Sequence, residues 1–427
     1  RSIALPSDMA TIIYTSGTTG RPKGCVLTHG NLMNECDNLI EGIPDVFAKE
    51  GASTLLFLPL AHVFGRLIQL AMIRARVTIG HSPNPGTLLR DLEGFKPTFL
   101  LAVPRVFEKV YNGASQKAHD ASGVKGKIFD AATATAISYS QSLDQGGPTP
   151  AMKAKHALFD RLVYSKLRAA MGGRVTHAIS GGASLGSRLG HYFRGLGLTV
   201  LEGYGLTETT AGATLNIPGA IKIGSVGKPV FGTEINIAED GEIMIRGHHI
   251  FSGYWNNEEA TQEALTSDGW FHSGDVGTID DDGFLYITGR KKELLVTSAG
   301  KNVAPNVLED RLRSHPIISQ CVVVGDGRPF IAALVTLDSD ALPGILQAHD
   351  IPPAPLEKLV DSPEVRALVQ LAVNNANEAV SNSEAIKKFV ILPLDLTIEN
   401  GYLTPKLSIK RHVINQDFAD VIDAIYK

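Results

Sequence analysis

The sequence predicts an α/β protein. We expect a large domain of stacked mixed and parallel sheets with helices and a small antiparallel β subdomain, followed by a small α+β C-terminal domain. Three observations indicate this class: strand-like and helix-like segments alternate in the first half, two hairpin patterns follow, and a second mixed pattern occupies the last third. Alternating strands and helices are typical of mostly parallel sheets.

The predicted strands of the large domain are short, apolar and rich in β-branched residues. Helical patterns lie between several of them, notably at 185–196. The strands are residues 10–15, 54–58, 98–103, 175–179 and 198–201. Because ligands bind beyond the carboxyl ends of strands in such sheets, we expect the functional residues on the loops that follow.

Residues 105–171 interrupt this alternation. They are rich in Ala, Lys and Ser, and their apolar residues are spaced at helical intervals, as in Phe159, Leu162 and Val163. The segment therefore predicts a helical excursion on the surface of the large domain.

Antiparallel patterns begin near residue 224. Apolar and polar residues alternate on both sides of Asp240-Gly241, which is a strong hairpin signal, and VGTIDDDGFLYITG repeats the pattern. We assign 224–289 to a β subdomain within a large domain of residues 1–290. Residues 291–427 form the separate α+β domain.

The composition excludes several classes of protein. Of 427 residues, 44% are hydrophobic and 20% charged, which fits a globular protein and not a disordered or collagenous one. Forty basic residues against 44 acidic ones give a net charge of -4, so we expect no nucleic-acid partner. The three cysteines lack the spacing of a disulfide framework or a zinc site.

No apolar run approaches the length of a membrane span, and no signal peptide is visible. Together with the sparse cysteines, this predicts a cytoplasmic protein, with peripheral contact to a membrane left open. The sequence does not predict an oligomeric state.

The strongest motif is YTSGTTGRPKG at residues 14–24. Its glycines permit tight turns close to a ligand, and successive backbone N–H groups in such turns form an anion-binding nest. The motif predicts a polyphosphate cradle, but not a Walker A loop, because Pro22 precedes the lysine and Gly24 follows it. The candidate phosphate-binding residues are Thr15, Ser16, Gly17, Thr18, Thr19, Gly20 and Lys23.

This motif resembles the signature of the adenylate-forming, AMP-binding enzymes, which include acyl-CoA synthetases, adenylation domains of peptide synthetases, and luciferase. Two later motifs agree in order: SGGA at 180–183 resembles the family's adenine-binding loop, and EGYGLTET at 202–209 resembles its central motif. These motifs give the candidate nucleotide-binding residues Gly181, Gly182, Ala183, Glu202, Gly203, Tyr204 and Gly205.

The side chains of the central motif suit different parts of magnesium-bound ATP. Tyr204 offers an aromatic face to the purine, and Thr207 offers a hydroxyl to a phosphate. Glu208 offers a carboxylate to a hard cation, and we place it with Thr15 as the candidate Mg²⁺ ligands. A Rossmann loop does not fit, because Glu208 occupies the place of its third glycine.

The resemblance implies further roles in binding and domain movement. Asp275, in WFHSGDVG, and Arg290 would bind the ribose hydroxyls, and Lys292 would lie at the hinge before a mobile C-terminal domain. His62, in PLAHVFGR, would lie near the substrate carboxylate. Gly300, in SAGKNVAP, would line the coenzyme A tunnel.

By resemblance, the protein would activate a carboxylic acid with ATP and Mg²⁺ to acyl-AMP and pyrophosphate. Coenzyme A would then displace AMP to give the acyl-CoA. The helical excursion together with RKKELLVTSAGKNVAP is most similar to the long-chain fatty acyl-CoA synthetases. We therefore predict a long-chain fatty acid–CoA ligase with a fatty acid, ATP and coenzyme A as its small-molecule substrates.

Two departures from the family pattern keep alternatives open. The family carries a further N-terminal portion, which we expect this large domain to lack. In GYLTPKLSIKRHVI, Ser408 stands where the adenylating lysine is usual, so Lys406 is the first catalytic candidate and Lys410 the second. The alternatives are a ligase that loads a carrier protein from fatty acyl-AMP, and a non-catalytic nucleotide- or acyl-binding module.

Overall fold

The computed structural model describes residues 3–15, 22–83, 85–121, 123–339, 341–403 and 409–427. The chain divides into two compact units. The first contains the residues up to Ser273 together with Gly277–Ile287, and the second contains Gly274–Val276 and Thr288–Lys427.

The first unit begins with alternating strands and short helices. In chain order they are β1 (Met9–Thr15), β2 (Lys23–Thr28), α1 (His29–Gly42), α2 (Pro44–Phe47), β3 (Ser53–Leu56), α3 (Val63–Ala75), β4 (Thr78–His81), α4 (Leu88–Phe95) and β5 (Phe99–Ala102). β3 and β4 pair in parallel, as the alternation predicts.

The predicted helical excursion follows β5. It contains α5 (Pro104–Ala121), α6 (Gly123–Leu143), α7 (Pro150–Phe159) and α8 (Ser165–Ala170), with a π-helical turn at Asp160–Tyr164. Phe107, Ala132 and Ala136 are buried against residues of the neighbouring strands, so α5 and α6 form part of the core as well as the surface.

The rest of the first unit returns to strands. In chain order the elements are β6 (His177–Ser180), α9 (Ser187–Gly195), β7 (Thr199–Tyr204), β8 (Thr214–Leu215), β9 (Lys228–Pro229), β10 (Thr233–Ile237), β11 (Glu242–Gly247), α10 (Glu258–Ala264), β12 (Phe271–Ile279) and β13 (Leu285–Arg290). β12 and β13 each carry residues assigned to the second unit.

The central sheet has the strand order β5-β6-β7-β8-β9. β5, β6 and β7 are parallel, with Ala102, Ser180 and Glu202 side by side at their carboxyl ends. Leu101 and Ile179 face the core of α1 and α3, whereas their neighbours Leu100 and Ala178 face the core of α5, α6 and α9. Helices on both faces of a parallel sheet confirm the predicted α/β class.

The phosphate-loop strand differs from the expected parallel arrangement. β1 pairs with β2 as an antiparallel hairpin, and Thr15 lies opposite Lys23 at the end where residues 16–22 connect the two strands. A parallel return needs a crossover of a dozen or more residues, which the short connection after β1 cannot provide. The predicted hairpin at Asp240-Gly241 is present as β10 and β11, in a sheet of order β10-β11-β12-β13.

The second unit is built on a three-stranded sheet of order β16-β17-β18. Its elements are β14 (Leu295–Val296), β15 (Asn302–Val303), α11 (Pro305–Arg313), β16 (Ile318–Val324), β17 (Ile331–Leu337), α12 (Leu342–Ala348), α13 (Leu356–Leu359), α14 (Pro363–Asn377), β18 (Ile386–Ile391), α15 (Arg411–Asp417) and α16 (Ala419–Ile425).

Every residue of β17 is buried, because α11 and α14 cover one face of this sheet and α15 and α16 cover the other. The unit therefore has a core of its own. Of the helices in the described ranges, none combines the length and apolar character needed to cross a bilayer.

Candidate functional site

The two ends of the phosphate loop are held together by the β1–β2 hairpin. Thr15 lies opposite Lys23, and the Thr15 hydroxyl donates to the Lys23 carbonyl oxygen at 3.4 Å. The predicted residues Ser16, Gly17, Thr18, Thr19 and Gly20 lie outside the described residues. Thr15 and Lys23 thus start and close the loop at neighbouring positions.

A segment at residues 251–255 connects this hairpin to the central motif. The Val26 N–H donates to the Gly253 carbonyl at 3.0 Å, and the Trp255 N–H donates to the Gly24 carbonyl at 2.7 Å. At its other end, the Phe251 N–H donates to the Glu208 carbonyl at 2.8 Å. Backbone hydrogen bonds from one short segment therefore tie β2 to Glu208.

Tyr254, within this segment, contacts both Lys23 and Glu208. The Lys23 ammonium lies 4.9 Å from the centroid of the Tyr254 ring, a cation–π distance. The Tyr254 hydroxyl donates to Glu208 Oε1 at 2.8 Å. Burial, reinforced by the Glu208 carboxylate, raises the pKa of Tyr254, so the phenol stays protonated and remains a hydrogen-bond donor.

The turn that carries Thr207 and Glu208 has an unusual backbone. Thr210 and Ala211 have positive φ angles of 51° and 87°, a conformation that costs non-glycine residues energy and often occurs at functional sites. A Cβ on Gly205 would lie 2.1 Å from the Ala211 carbonyl oxygen, so only glycine fits there. The turn therefore holds Thr207 and Glu208, both half-buried, in a defined position.

The adenine-loop and central motifs leave neighbouring strands at the same sheet edge. Ser180 lies beside Glu202, so Gly181, Gly182 and Ala183 begin next to Gly203. The buried Glu202 carboxylate accepts the Leu185 N–H at 2.9 Å, which anchors the SGGA loop from within. Its role in nucleotide binding stays a prediction, and in the structure the Glu202 carboxylate supports the SGGA loop.

Tyr204 continues β7 and packs in the same hydrophobic cluster as Cys25, Ile13 and Tyr254. The candidate purine-binding residue thus belongs to the cluster beneath the phosphate-loop hairpin. A Cβ on Gly203 would lie 2.9 Å from the Thr214 carbonyl oxygen, so this glycine is required by the pairing of β7 with β8.

His62, the candidate for the acyl site, is the half-buried residue that precedes α3. Its N–H donates to the Pro59 carbonyl at 3.0 Å, which closes the turn of the PLAHVFGR motif. Gly65 lies close to this turn, because a Cβ there would be 2.7 Å from the same Pro59 oxygen.

In the second unit, the two candidate ribose ligands contact each other. Asp275 is 4% exposed, and its Oδ1 lies 3.0 Å from Nε of the exposed Arg290. The pair thus places a carboxylate that accepts hydrogen bonds beside a guanidinium that donates them.

The candidate hinge and coenzyme A residues lie on exposed turns of the second unit. Lys292 is exposed in a 3-10 turn at Lys291–Glu293, directly after β13. Gly300 has φ +77°, and its N–H donates to the Thr297 carbonyl in the turn between β14 and β15. No Cβ projects at Gly300, so a ligand has room to pass close to the backbone.

Lys410 is half-buried, and its N–H donates to the Tyr402 carbonyl at 2.9 Å. Lys406 and Ser408 lie outside the described residues. Next to Lys410, Arg411 pairs with the buried Glu309 at 2.5 Å and with Glu293 at 3.5 Å. Burial alone would lower the pKa of Arg411, but these carboxylates outweigh it and raise the pKa above its ordinary value.

The sequence motifs do not reveal Tyr254 or Arg411 as functional candidates. Tyr254 contacts a carboxylate 46 positions away, and Arg411 contacts one 102 positions away, so no local pattern reveals either pair. An aromatic residue in a polar run, SGYWNNEE, is the only local signal at Tyr254.

Magnesium fits the oxygen ligands that the first unit offers. Glu208 supplies a carboxylate and Thr15 a hydroxyl, both hard oxygen donors. Within the described ranges, no group of three His, Cys, Asp or Glu side chains is arranged to hold a metal. Mg²⁺ is usually held by one or two protein carboxylates and by the phosphates of its substrate.

Comparison with known proteins identifies the family. A sequence profile of the AMP-binding enzymes matches residues 1–255, and a profile of the AMP-binding enzyme C-terminal domain matches residues 292–427. A relative from Mycobacterium bovis named long-chain-fatty-acid–CoA ligase FadD15 is 54% identical, over 98% of this chain and 70% of that protein. The Gallus gallus relative named long-chain-fatty-acid–CoA ligase ACSBG2 is 35% identical, over 99% of this chain and 59% of that protein.

Solved structures share the fold. ATP-bound MatB from Rhodopseudomonas palustris superposes with a TM-score of 0.68 at 23% identity, covering 99% of this chain and 70% of that one. The adenylation domain of a carboxylate reductase from Mycobacterium chelonae gives 0.72 at 22% identity, covering 99% of this chain and 60% of that one. Because the two family profiles and the 54% identical relative match nearly the whole chain, it belongs to the AMP-binding, adenylate-forming enzyme family predicted from its phosphate loop.

Proposed function

We propose that the protein is a long-chain fatty acid–CoA ligase. It joins a fatty acid to AMP with release of pyrophosphate, and then transfers the acyl group to the thiol of coenzyme A with release of AMP. The observation that carries the proposal is the junction where Lys23 of the phosphate loop and Glu208 of the central motif meet on Tyr254. The 54% identity to a relative with this name supports the substrate class.

In the first step a carboxylate attacks the negatively charged α-phosphate of ATP. Positive charge and hydrogen-bond donors must therefore stabilise the developing phosphorane. Lys23 binds the triphosphate as a point charge, and Thr207 donates its hydroxyl to a phosphate oxygen. Glu208 and Thr15 would hold Mg²⁺, which when bound neutralises phosphate charge.

The remaining candidates divide between the nucleotide and the acyl group. Tyr204 and the loop of Gly181, Gly182 and Ala183 would bind the adenine, and Asp275 and Arg290 the ribose. His62 would orient the substrate carboxylate. Either Lys406 or Lys410 would contact the reacting phosphate in the first step.

The second step needs the thiol of coenzyme A to reach the acyl-AMP. We assign Gly300 to the pantetheine path and Lys292 to the hinge about which residues 291–427 move. Residues 1–290 then form the ATP- and acyl-binding domain, with 105–171 and 224–289 as its subdivisions. We place the enzyme in the cytoplasm, where peripheral contact with a membrane would give access to fatty acids.

The test is the product formed by the full chain with ATP, Mg²⁺ and coenzyme A. We expect mass spectrometry to detect acyl-CoA and AMP with long-chain fatty acids, and much less with short acids. The Glu208→Gln variant is the matched control, because it removes a hard-cation ligand while preserving the side-chain shape.

Three results would contradict the proposal. Acyl-AMP that accumulates and reaches a thiol only on a carrier protein would indicate the carrier-loading ligase. Nucleotide binding without acid-dependent pyrophosphate exchange would indicate a non-catalytic module. Normal adenylation by Glu208→Gln would reject the metal assignment.

A further inference from the structure

The junction at Tyr254 brings two opposite charges to one aromatic ring. The Lys23 ammonium lies over the ring face, 4.9 Å from its centroid, and the Glu208 carboxylate accepts the phenol hydrogen at 2.8 Å. Within the described ranges no ion pair joins Lys23 to Glu208. The ring thus separates a cation and an anion that would otherwise attract each other.

The position of the ring is determined from several sides. Tyr254 forms a β-bridge with Cys25, and its N–H donates to the Thr261 hydroxyl at 2.9 Å. Phe251 packs edge-on against the ring, with centroids 4.8 Å apart. Because the backbone and the Phe251 ring both restrain it, Tyr254 has little freedom to leave Lys23 and Glu208.

A direct pair between Lys23 and Glu208 would oppose substrate binding. Each group would be occupied by the other, and triphosphate and Mg²⁺ would have to break that pair before either could bind. A ring face satisfies an ammonium without a counter-charge, and a phenol satisfies a carboxylate oxygen without neutralising it. Both charges therefore remain available to the substrate.

We propose that Tyr254 is a positioning residue that keeps Lys23 and Glu208 apart, so that Lys23 is ready for the triphosphate and Glu208 for Mg²⁺. This inference rests on the proposed function for the roles of these two residues. The ring face positions Lys23 and the hydroxyl positions Glu208. Loss of the ring face should therefore affect triphosphate binding, and loss of the hydroxyl should affect Mg²⁺ binding.

The experiment measures ATP binding to the full chain by titration calorimetry at a series of Mg²⁺ concentrations, without fatty acid or coenzyme A. In Tyr254→Phe the hydroxyl is lost and the face is kept. We expect the Mg²⁺ concentration for half-maximal ATP affinity to rise about tenfold, as for loss of a hydrogen bond to a charged group. Affinity at saturating Mg²⁺ should stay close to that of the wild type.

In Tyr254→Leu both the hydroxyl and the face are lost. We expect the same rise in the Mg²⁺ requirement, and in addition a several-fold loss of ATP affinity at saturating Mg²⁺, which reflects Lys23. The matched control is Tyr286→Phe, which removes a phenol hydroxyl that donates to another carboxylate of the same unit, Asp280, at 3.3 Å. This control should bind as the wild type does.

An unchanged Mg²⁺ requirement in Tyr254→Phe would overturn the inference. Equal losses of ATP affinity at saturating Mg²⁺ in Tyr254→Phe and Tyr254→Leu would also overturn it. An equal rise of the Mg²⁺ requirement in Tyr286→Phe would also overturn it, because the effect would then not be specific to Tyr254. If the wild type binds ATP with Mg²⁺ but forms no acyl-CoA, the proposed function is wrong. The role of Tyr254 is then still decided by the ATP-binding measurements on its variants. A wild type that does not bind ATP would reject both.

Discussion

At the scale of single residues, ionisation of the buried Glu35 carboxyl group destabilises the folded protein. It is 3% exposed on α1, and a Cβ on Gly212 would lie 2.2 Å from its Oε1, so Gly212 packs directly against the carboxyl group. Burial raises the pKa of Glu35 to about 8, and a hydrogen bond from Asn38 offsets only part of this. The carboxyl group is therefore protonated in the folded protein at neutral pH.

This predicts how stability depends on pH. The folded-state pKa lies above the unfolded value, so the contribution of Glu35 is fully present below pH 4.5 and is lost as the pH rises towards 8. Glu35→Gln removes this loss, and at pH 8 we expect it to be more stable than the wild type by a few kcal/mol, at about 1.4 kcal/mol per pKa unit.

Chemical denaturation of both proteins between pH 4.5 and pH 9 measures this difference. All other groups titrate alike in the two proteins, so the difference between their stability curves isolates Glu35. Parallel curves would show that the carboxyl group is ionised in the fold and that the assignment of a raised pKa is wrong.

At the scale of elements, an ionic group around the buried Glu309 joins three pieces of the second unit. Arg411 begins α15, Glu309 lies on α11, and Glu293 ends the 3-10 turn that contains Lys292. Glu309 is 2% exposed and also accepts the Val323 N–H at 2.7 Å. The residue beside Lys410 is thus bonded to the segment beside the proposed hinge.

We expect Arg411→Met to destabilise the protein by roughly 3–5 kcal/mol, because the change removes the counter-charge that is hydrogen-bonded to the buried Glu309. Arg328→Met is the matched control. Arg328 pairs with Asp423 where both side chains are exposed, and such pairs contribute about 1 kcal/mol or less. Thermal unfolding measures both, and equal small effects would show that Glu309 does not depend on Arg411.

Sequence patterns predicted elements better than they predicted partners. The apolar run at 98–103 became β5 at Phe99–Ala102, and the hairpin signal at Asp240-Gly241 became β10 and β11, because both are encoded by neighbouring residues. The antiparallel pairing of β1 was missed, since β2 is a run of mixed residues, KGCVLT, with little alternation. The contact of Tyr254 with Glu208 depends on the tertiary fold alone.

At the scale of the whole molecule, the chain consists of two compact units, and the division passes through β12 and β13. The proposed phosphate and metal ligands lie in the first unit. The proposed ribose pair, hinge, coenzyme A turn and second lysine candidate lie in the second unit. The proposed two-step reaction uses residues of both units, and we propose that residues 291–427 change position between the steps.

Lys292→Pro tests this account. Proline fixes φ and restricts the preceding residue, so it would limit rotation at the exposed turn after β13. We expect thioester formation to fall by about tenfold or more while acid-dependent pyrophosphate exchange falls much less. Lys291→Ala, at an exposed neighbour, is the control for side-chain loss. Equal losses in both half-reactions would contradict a hinge at this position.

The hydrogen bonds of residues 251–255 also bear on how such enzymes diverge. One segment supports both the lysine strand and the acidic turn, so a change at Lys23, Tyr254 or Glu208 alters the surroundings of the other two. These three positions are therefore expected to vary together among descendants of a common ancestor. A descendant that had lost one of the three residues would be under little selection to retain the other two.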